Sequence, residues 1–217
     1  MLDMSQQRGV WVDAAARIAR AQAGCQLGDV DRETQLHGLA AVLGFVSSTG
    51  IAGLTLGGGF GYLTRQSGWT TDNLVAMDVV TADGRLVRAS EHEHADLFWG
   101  LRGGGGNLGV VTGFEYALHP AGPEVVAGLI AWLADAAPSV LAMARTLMEE
   151  GSPELVCPPF LRRAPPAPWL PPAIHGKPIV ALSVCDSGPV AGRPFGHGPP
   201  RRGLGTHDHG SVGHRAR

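Results

Sequence analysis

The sequence predicts an α+β fold, because strands with alternating apolar residues, one clear β-hairpin and amphipathic helical segments follow one another along the chain. Its 217 residues, 44% of them hydrophobic, can bury a core for one full domain, or for one domain and part of another. We expect three segments, at 1–120, 121–186 and 187–217. The last consists mainly of Gly, Pro, Arg and His and is predicted to be a disordered tail.

The first segment opens with two predicted strands, at 9–13 and 16–23. Asp29 is expected to cap a short helix that runs to about His37, with Gly38 as its stop. The dipeptide Asp83-Gly84 between apolar runs at 74–81 and 85–89 predicts a tight hairpin turn. A helix of about ten residues should follow it, opened by a capping box.

That capping box is formed by Ser90 and Glu93, which have the required spacing. Apolar alternation then predicts a long strand from 110 to 120, ended by a proline, and another strand at 124–132. An apolar stripe indicates a helix between Pro138 and Gly151, and 178–185 is apolar enough for one more strand. The proline-rich stretch at 152–172 is predicted to be a loop.

Composition excludes several classes of partner. The formal net charge is −2 and no basic stripe with interleaved aromatic residues occurs, so no nucleic acid is expected. The three cysteines, Cys25, Cys157 and Cys185, are few and unclustered, which indicates neither a disulfide framework nor a metal site. The start lacks the apolar core of a secretory signal, and nothing later predicts a membrane span. We therefore expect a cytoplasmic protein without metal.

Two glycine runs, at 57–61 and 103–109, carry the strongest functional signal. Runs of glycine let backbone N–H groups approach a bulky anion and turn through positive φ, as a phosphate-bearing cofactor requires. Glycines that only make tight turns are the alternative. The second run follows a predicted helix and precedes a strand, whereas an NAD-binding Rossmann site has strand, glycine loop and helix. This order excludes NAD.

Three motifs in order resemble the FAD-binding PCMH-type domain of the vanillyl-alcohol oxidase superfamily, and more narrowly the berberine-bridge-enzyme-like flavin oxidases. They are Ser-Thr-Gly-Ile-Ala-Gly-Leu-Thr-Leu-Gly-Gly-Gly-Phe-Gly at 48–61, Thr-Asp-Asn-Leu at 71–74, and the stretch 96–112. The resemblance covers 10–120, about half of the chain. It implies the second half of such an FAD domain, followed at 121–186 by the beginning of an α+β substrate domain.

The resemblance also implies a set of cofactor contacts. The 47–61 loop would lie along the FAD pyrophosphate and ribityl chain and donate backbone N–H groups, while the backbone at 109–110 would reach the adenine. Asn73 would order the cofactor loop. The expected cofactor-binding residues are Ser47, Ser48, Thr49, Gly50, Gly53, Gly57, Gly58, Gly59, Asn73, Gly109 and Val110.

In such a family a hydride passes from a substrate C–H or alcohol to the flavin, which O2 reoxidises. The implied partners are O2 and a small-molecule substrate, such as a sugar or a secondary metabolite. The family's Arg-Gly-Gly-Gly-His loop is not found ahead of Val10, and Val46 stands where doubly linked members place a cysteine. Neither Tyr62 nor Tyr116 matches the family's base, so no catalytic residue is predicted. A truncated oxidoreductase is thus expected, and a non-catalytic remnant or interaction fragment is the alternative.

Overall fold

A computed structural model describes residues 2–168 and 170–189 of the chain. The chain divides into two compact units, one ending at Pro123 and the other beginning at Glu124. Each unit has its own antiparallel sheet and its own apolar core. Nearly all of the predicted tail, with its four histidines, lies outside the described residues. The predicted assignment of the second unit to a substrate domain stays a prediction.

The first unit is built on six strands. They are β1 (Val10–Asp13), β2 (Ile18–Gln22), β3 (Leu39–Ala41), β4 (Leu74–Val80), β5 (Leu86–Ser90) and β6 (Val110–Pro120). The sheet order is β1-β2-β6-β4-β5, and β3 also pairs with β6. The predicted strands β1, β2 and β6 are confirmed, and so is the hairpin of β4 and β5. The long β6 is the centre of the sheet because it pairs with three strands.

The first unit has four α-helices in its described residues, α1 (Leu27–Gln35), α2 (Ile51–Leu56), α3 (Thr64–Ser67) and α4 (Ala95–Leu101), and a short 3-10 helix at Thr70–Asn73. Asp29 is the third residue of α1 and not its cap, since its carboxylate accepts from the Gln26 amide at 2.8 Å. The predicted capping box at Ser90 is also wrong. Its hydroxyl accepts from the amides of His92 and Glu93 in a preceding turn, and α4 begins only at Ala95.

One buried hydrogen bond joins α2 to the centre of the sheet. Phe114, Tyr116 and Leu118 on β6 are buried, as the predicted alternation requires. The alternation breaks at Thr112, where the pairing between β4 and β6 shifts register. The Tyr116 hydroxyl lies 2.8 Å from the Thr55 hydroxyl of α2, and both residues are fully buried. This bond satisfies two polar groups that would be costly to bury alone.

The second unit is a smaller sheet covered by one long helix. Its elements are β7 (Val126–Leu133), α5 (Ala137–Glu150), β8 (Leu155–Val156), β9 (Pro159–Arg163) and β10 (Pro178–Asp186). β10 is central and pairs with the other three strands. Val140 and Ala144 of α5 pack against Val180 and Leu182 of β10. None of the helices in the described part of the chain is long and apolar enough to cross a membrane.

The prediction of a loop over 152–172 is wrong, because β8 and β9 lie within it. Proline breaks a strand by removing a donor from the ladder. Pro159 is the first residue of β9, and β9 pairs only with β10 among the described strands. A proline at the start of such an edge strand removes no needed hydrogen bond, so proline content alone misled the prediction.

Candidate cofactor site

Residues 47–50 form a bend tied to the start of α1 through its carbonyl groups. The Leu27 amide donates to the Thr49 carbonyl and the Gly28 amide to the Ser47 carbonyl, both at 2.9 Å. Five backbone amides in and after the bend have no protein partner among the described residues: Ser47, Ser48, Gly50, Ala52 and Gly53. Because Ser47, Ser48 and Gly50 are also exposed, the bend presents a row of N–H donors to a ligand.

The start of α2 continues this donor row. Gly50 is the N-cap and provides no side chain, so the amides of Ala52 and Gly53 in the first turn are left without a capping group, while the Ile51 amide donates to the Cys25 carbonyl. These amides carry the positive end of the helix dipole, which favours an anion. A Cβ added at Gly50 or Gly53 would meet no atom within 4 Å, so packing does not require glycine there. The missing side chains instead leave room for close approach of a ligand.

The helix within this segment was not predicted, since the region was expected to be a loop. Ile51, Leu54 and Thr55 have the i, i+3, i+4 spacing of a helical face, and Ile51 and Thr55 are fully buried. That spacing could have revealed the helix. The dense glycines on both sides concealed it, because glycine disfavours helices.

The glycines that follow α2 are already used by the protein. The Gly57 amide bonds to the Leu54 carbonyl at 3.2 Å and the Gly58 amide to the Thr55 carbonyl at 3.0 Å, which closes the helix. Gly58 has a φ of 102°, and a Cβ at Gly59 would lie 2.4 Å from the Thr70 hydroxyl oxygen. The amides of Gly57 and Gly58 are therefore engaged within the protein, and the predicted cofactor contacts of Gly57, Gly58 and Gly59 stay predictions.

A cavity of about 350 Å³ lies directly beside the donor row. Its lining includes Gly53 of the donor row together with Thr49, Gly57 and Gly59. The rest of the lining consists of Gly44, Phe45, Val46, Leu54 and Phe60. A cleft that combines a peptide donor with apolar groups suits a ligand that has a charged part and a flat ring.

Phe45 and Phe60 of the lining continue into an aromatic cluster with Tyr62 and Trp69, of which only Tyr62 is half-buried. The Phe45 ring lies edge-on to Phe60 at 5.4 Å between centroids and to Tyr62 at 4.7 Å, and Trp69 lies 5.8 Å from Phe60. Phe60 and Trp69 remain 54% and 52% exposed. Edge-on packing holds the rings in fixed orientations, so this wall of the cavity is preformed.

Asn73 is buried next to this wall, and its side chain forms hydrogen bonds within the protein. Its amide nitrogen donates to the carbonyls of Ser67 and Trp69, both at 2.8 Å, and its oxygen lies 2.6 Å from the His119 Nε2. Burial, with Arg17 nearby, lowers the pKa of His119, so the neutral imidazole donates to Asn73. Asn73 therefore holds the turn at 67–73. Its predicted role in ordering the cofactor loop stays a prediction.

The second glycine run is hydrogen-bonded to the end of α2, directly before the first run. The Gly105 amide donates to the Leu56 carbonyl at the end of α2, at 3.0 Å. Gly109 lies against β4, where an added Cβ would be 2.8 Å from both Val79 Cγ1 and the Val80 carbonyl oxygen. Val110 pairs with Val80 in the sheet. Packing alone explains glycine at 109, and the predicted contact of 109–110 with adenine stays a prediction.

No catalytic base is identified among the described titratable groups around the site. Tyr116 is fully buried beneath α2, and burial raises the pKa of its hydroxyl far above neutrality. In the described part of the chain, no group of three His, Cys, Asp or Glu residues could hold a metal. The His94 Nδ1 lies 2.9 Å from the Arg88 carbonyl oxygen.

The geometry fits a flavin dinucleotide, with unpaired amides for a diphosphate and an aromatic wall for a ring system. Comparison with known proteins agrees. The family model described as FAD binding domain matches residues 1–90. The FAD-linked oxidoreductase pgmH of Aspergillus terreus is 48% identical over 123 residues, which is 57% of this chain and 25% of that protein.

Two further matches are a relative and a solved structure. The (R)-6-hydroxynicotine oxidase of Paenarthrobacter nicotinovorans is 39% identical over 147 residues, or 68% of this chain and 31% of that protein. The crystal structure of 6-hydroxy-D-nicotine oxidase from Arthrobacter nicotinovorans has a TM-score of 0.72 and 30% identity, and the match covers 85% of this chain and 39% of that one. This chain thus spans about a quarter to two fifths of these proteins.

The fold and these matches identify an FAD-binding protein. Over the part that is matched, the chain resembles FAD-linked oxidoreductases of the vanillyl-alcohol oxidase family, which have a PCMH-type FAD-binding domain. The predicted α+β fold and the predicted cofactor, FAD, are confirmed by the same matches.

Proposed function

We propose that the first unit holds the diphosphate of FAD for a berberine-bridge-enzyme-like oxidase. The observation that carries the proposal is the row of unpaired amides at 47–53 beside the cavity. When bound, FAD supplies the ring that accepts a hydride from a substrate C–H or alcohol and passes the electrons to O2. The substrate is a small molecule such as a sugar or a secondary metabolite.

The protein's contribution on the charged side is a set of oriented dipoles. The amides of Ser47, Ser48 and Gly50 are exposed and fixed, because Thr49 and Ile51 on either side of Gly50 are bonded to other segments. A hydrogen bond from such an amide to a charged phosphate contributes about 1.5–3 kcal/mol. Since the donors are already in place, little conformational entropy opposes binding.

On the ring side, the cavity offers packing without a covalent anchor. Val46 is 57% exposed and lines the cavity, but its side chain has no sulfur to bond a flavin. Phe45 and Phe60 present aromatic surface next to it. We therefore propose that the flavin ring makes apolar contacts with this wall, with Asn73 ordering the adjacent turn and the backbone of 109–110 reaching the adenine.

Titration with two flavins tests which part of the cofactor is held. FAD should bind the full chain at least about 100-fold more tightly than riboflavin, because riboflavin lacks the diphosphate and forgoes two or more charge-assisted bonds. Flavin fluorescence gives both dissociation constants under the same conditions. High salt should weaken FAD more than riboflavin, since only FAD brings phosphate charge.

Equal affinity for the two flavins would contradict a diphosphate site at 47–53. Binding of neither flavin by folded protein would favour the second candidate, a non-catalytic interaction module. The observation in favour of that candidate is the exposed apolar surface of Phe45, Val46, Phe60 and Trp69, since patches of this kind mark contact sites. Self-association of flavin-free chain, measured by sedimentation, would then be expected.

A further inference from the structure

Arg102, just beyond the end of α4, reaches across to the turn at 70–73. Its Nε donates to the Thr71 carbonyl at 2.8 Å, and its Nη2 lies 3.5 Å from Asp72 Oδ1. The guanidinium also stacks over the Phe98 ring, 5.4 Å from its centroid. Phe98 is buried in the core of the first unit, so it gives the arginine a fixed support.

The turn that Arg102 grips carries the glycines after α2. The Thr70 amide donates to the Gly59 carbonyl at 2.9 Å, and the Thr71 amide donates to the Gly58 carbonyl at 3.0 Å. The guanidinium also lies near the carboxylate of Asp72, the residue that follows Thr71. The path from α4 to Gly58 is therefore continuous, through two hydrogen bonds and a single residue, Thr71.

We propose that Arg102 is a positioning residue that locks the first glycine run in its ligand-ready shape. Gly58 and Gly59 have left-handed φ values of 102° and 69°, which the turn must hold. Without the arginine, Thr71 would lose its link to α4, and the pair of backbone bonds to Gly58 and Gly59 would open more often. Arg102, directly before the second glycine run, thus acts as a brace for the first run. The hydrogen bond from the Gly105 amide to the Leu56 carbonyl adds a second link between the two runs.

The arginine suits this role because its planar fork donates in two directions while it stacks on an aromatic ring. The Asp72 contact is long and Asp72 is half exposed, so the neutral Thr71 carbonyl is the main acceptor. A lysine would keep the charge but place a single point donor there. Arg102→Lys should therefore restore the brace only in part.

Hydrogen exchange of the full chain tests the brace without any ligand. In Arg102→Met, which removes the donors but keeps an apolar stem on Phe98, the Thr70 and Thr71 amides should exchange about tenfold faster. Amides of β4 and β6 should be unchanged. Arg85→Met is the matched control, because Arg85 is exposed and paired with Asp83 on the hairpin turn. Arg102→Lys should give an intermediate rate.

A second readout is flavin affinity and rests on the proposed function. Arg102→Gly should bind FAD several-fold more weakly than wild type, and millimolar guanidinium should restore affinity where equal sodium chloride does not. Unchanged exchange at Thr70 and Thr71, or a uniform rise over the whole sheet, would overturn the brace. If the wild type binds no FAD, the proposed function fails, and the exchange experiment still decides the role of Arg102.

Discussion

The segment at 47–53 and the glycine run at 103–109 both depend on glycine but differ in what surrounds it. At 47–53, Gly50 and Gly53 have open space where a Cβ would be, and neighbouring amides lack protein partners. In the run at 103–109, a Cβ at Gly104 would lie 2.1 Å from the Gly100 carbonyl oxygen and Gly109 is packed against β4, whereas Gly103 and Gly105 have open space at positive φ. The first segment leaves room for a ligand, while Gly104 and Gly109 leave room for the protein's own atoms. Glycine density alone does not distinguish the two cases.

The most direct test of this difference is to fill the open space at Gly53. Gly53→Val adds a branched side chain to the cavity, and its Cβ meets no atom within 4 Å, so we expect FAD affinity to fall about 100-fold with little loss of stability. Flavin titration and chemical denaturation measure the two effects. Gly128→Val is the matched control, because a Cβ there also meets nothing within 4 Å but lies on β7 of the second unit. Unchanged affinity in Gly53→Val would remove this glycine from the site.

The converse result is expected at Gly109. Gly109→Ala forces a Cβ against Val79 and the backbone of Val80, so the free energy of unfolding should fall by about 2–3 kcal/mol. Gly105→Ala is the control, since its Cβ has open space, and only the cost of its positive φ, about 1 kcal/mol, applies. Denaturant titration gives both values. A stable Gly109→Ala that fails to bind FAD would instead favour the predicted adenine contact.

The smallest expected effect concerns pH and His119. Burial lowers the folded-state pKa of His119 below that of the unfolded chain, about 6.5. Its contribution to stability is therefore complete above about pH 6.5 and declines as the pH falls toward the folded-state pKa. His119→Gln keeps a donor for Asn73 and should flatten this part of the profile. Unfolding free energies of both proteins between pH 7.5 and 5 provide the measurement, and parallel profiles would contradict it.

Local patterns predicted the elements that local interactions determine. The Asp83-Gly84 hairpin, the long β6 and the helix behind Pro138 all follow from spacing within a dozen residues, and each is present. Starts of helices were less accurate, because several residues near Asp29 and Ser90 could serve as caps. The family resemblance supplied the cofactor, which spacing alone could not.

Contacts between distant residues were beyond the sequence. Arg102 meets Thr71 and His119 meets Asn73 only because the sheet and α4 bring them together. The same is true of the difference between the open positions of Gly50 and Gly53 and the packed positions of Gly104 and Gly109, which depends on the atoms around each missing Cβ. A sequence shows where glycines are, and the fold shows which of them have neighbours.

The hydroxyl pair of Thr55 and Tyr116 limits how the donor row can move. Because it pins the underside of α2 to the middle strand, that helix can neither slide lengthwise nor rotate without stranding two oxygens in an apolar interior. Under the proposed function, cofactor capture at 47–53 is consequently a docking event onto a rigid shelf.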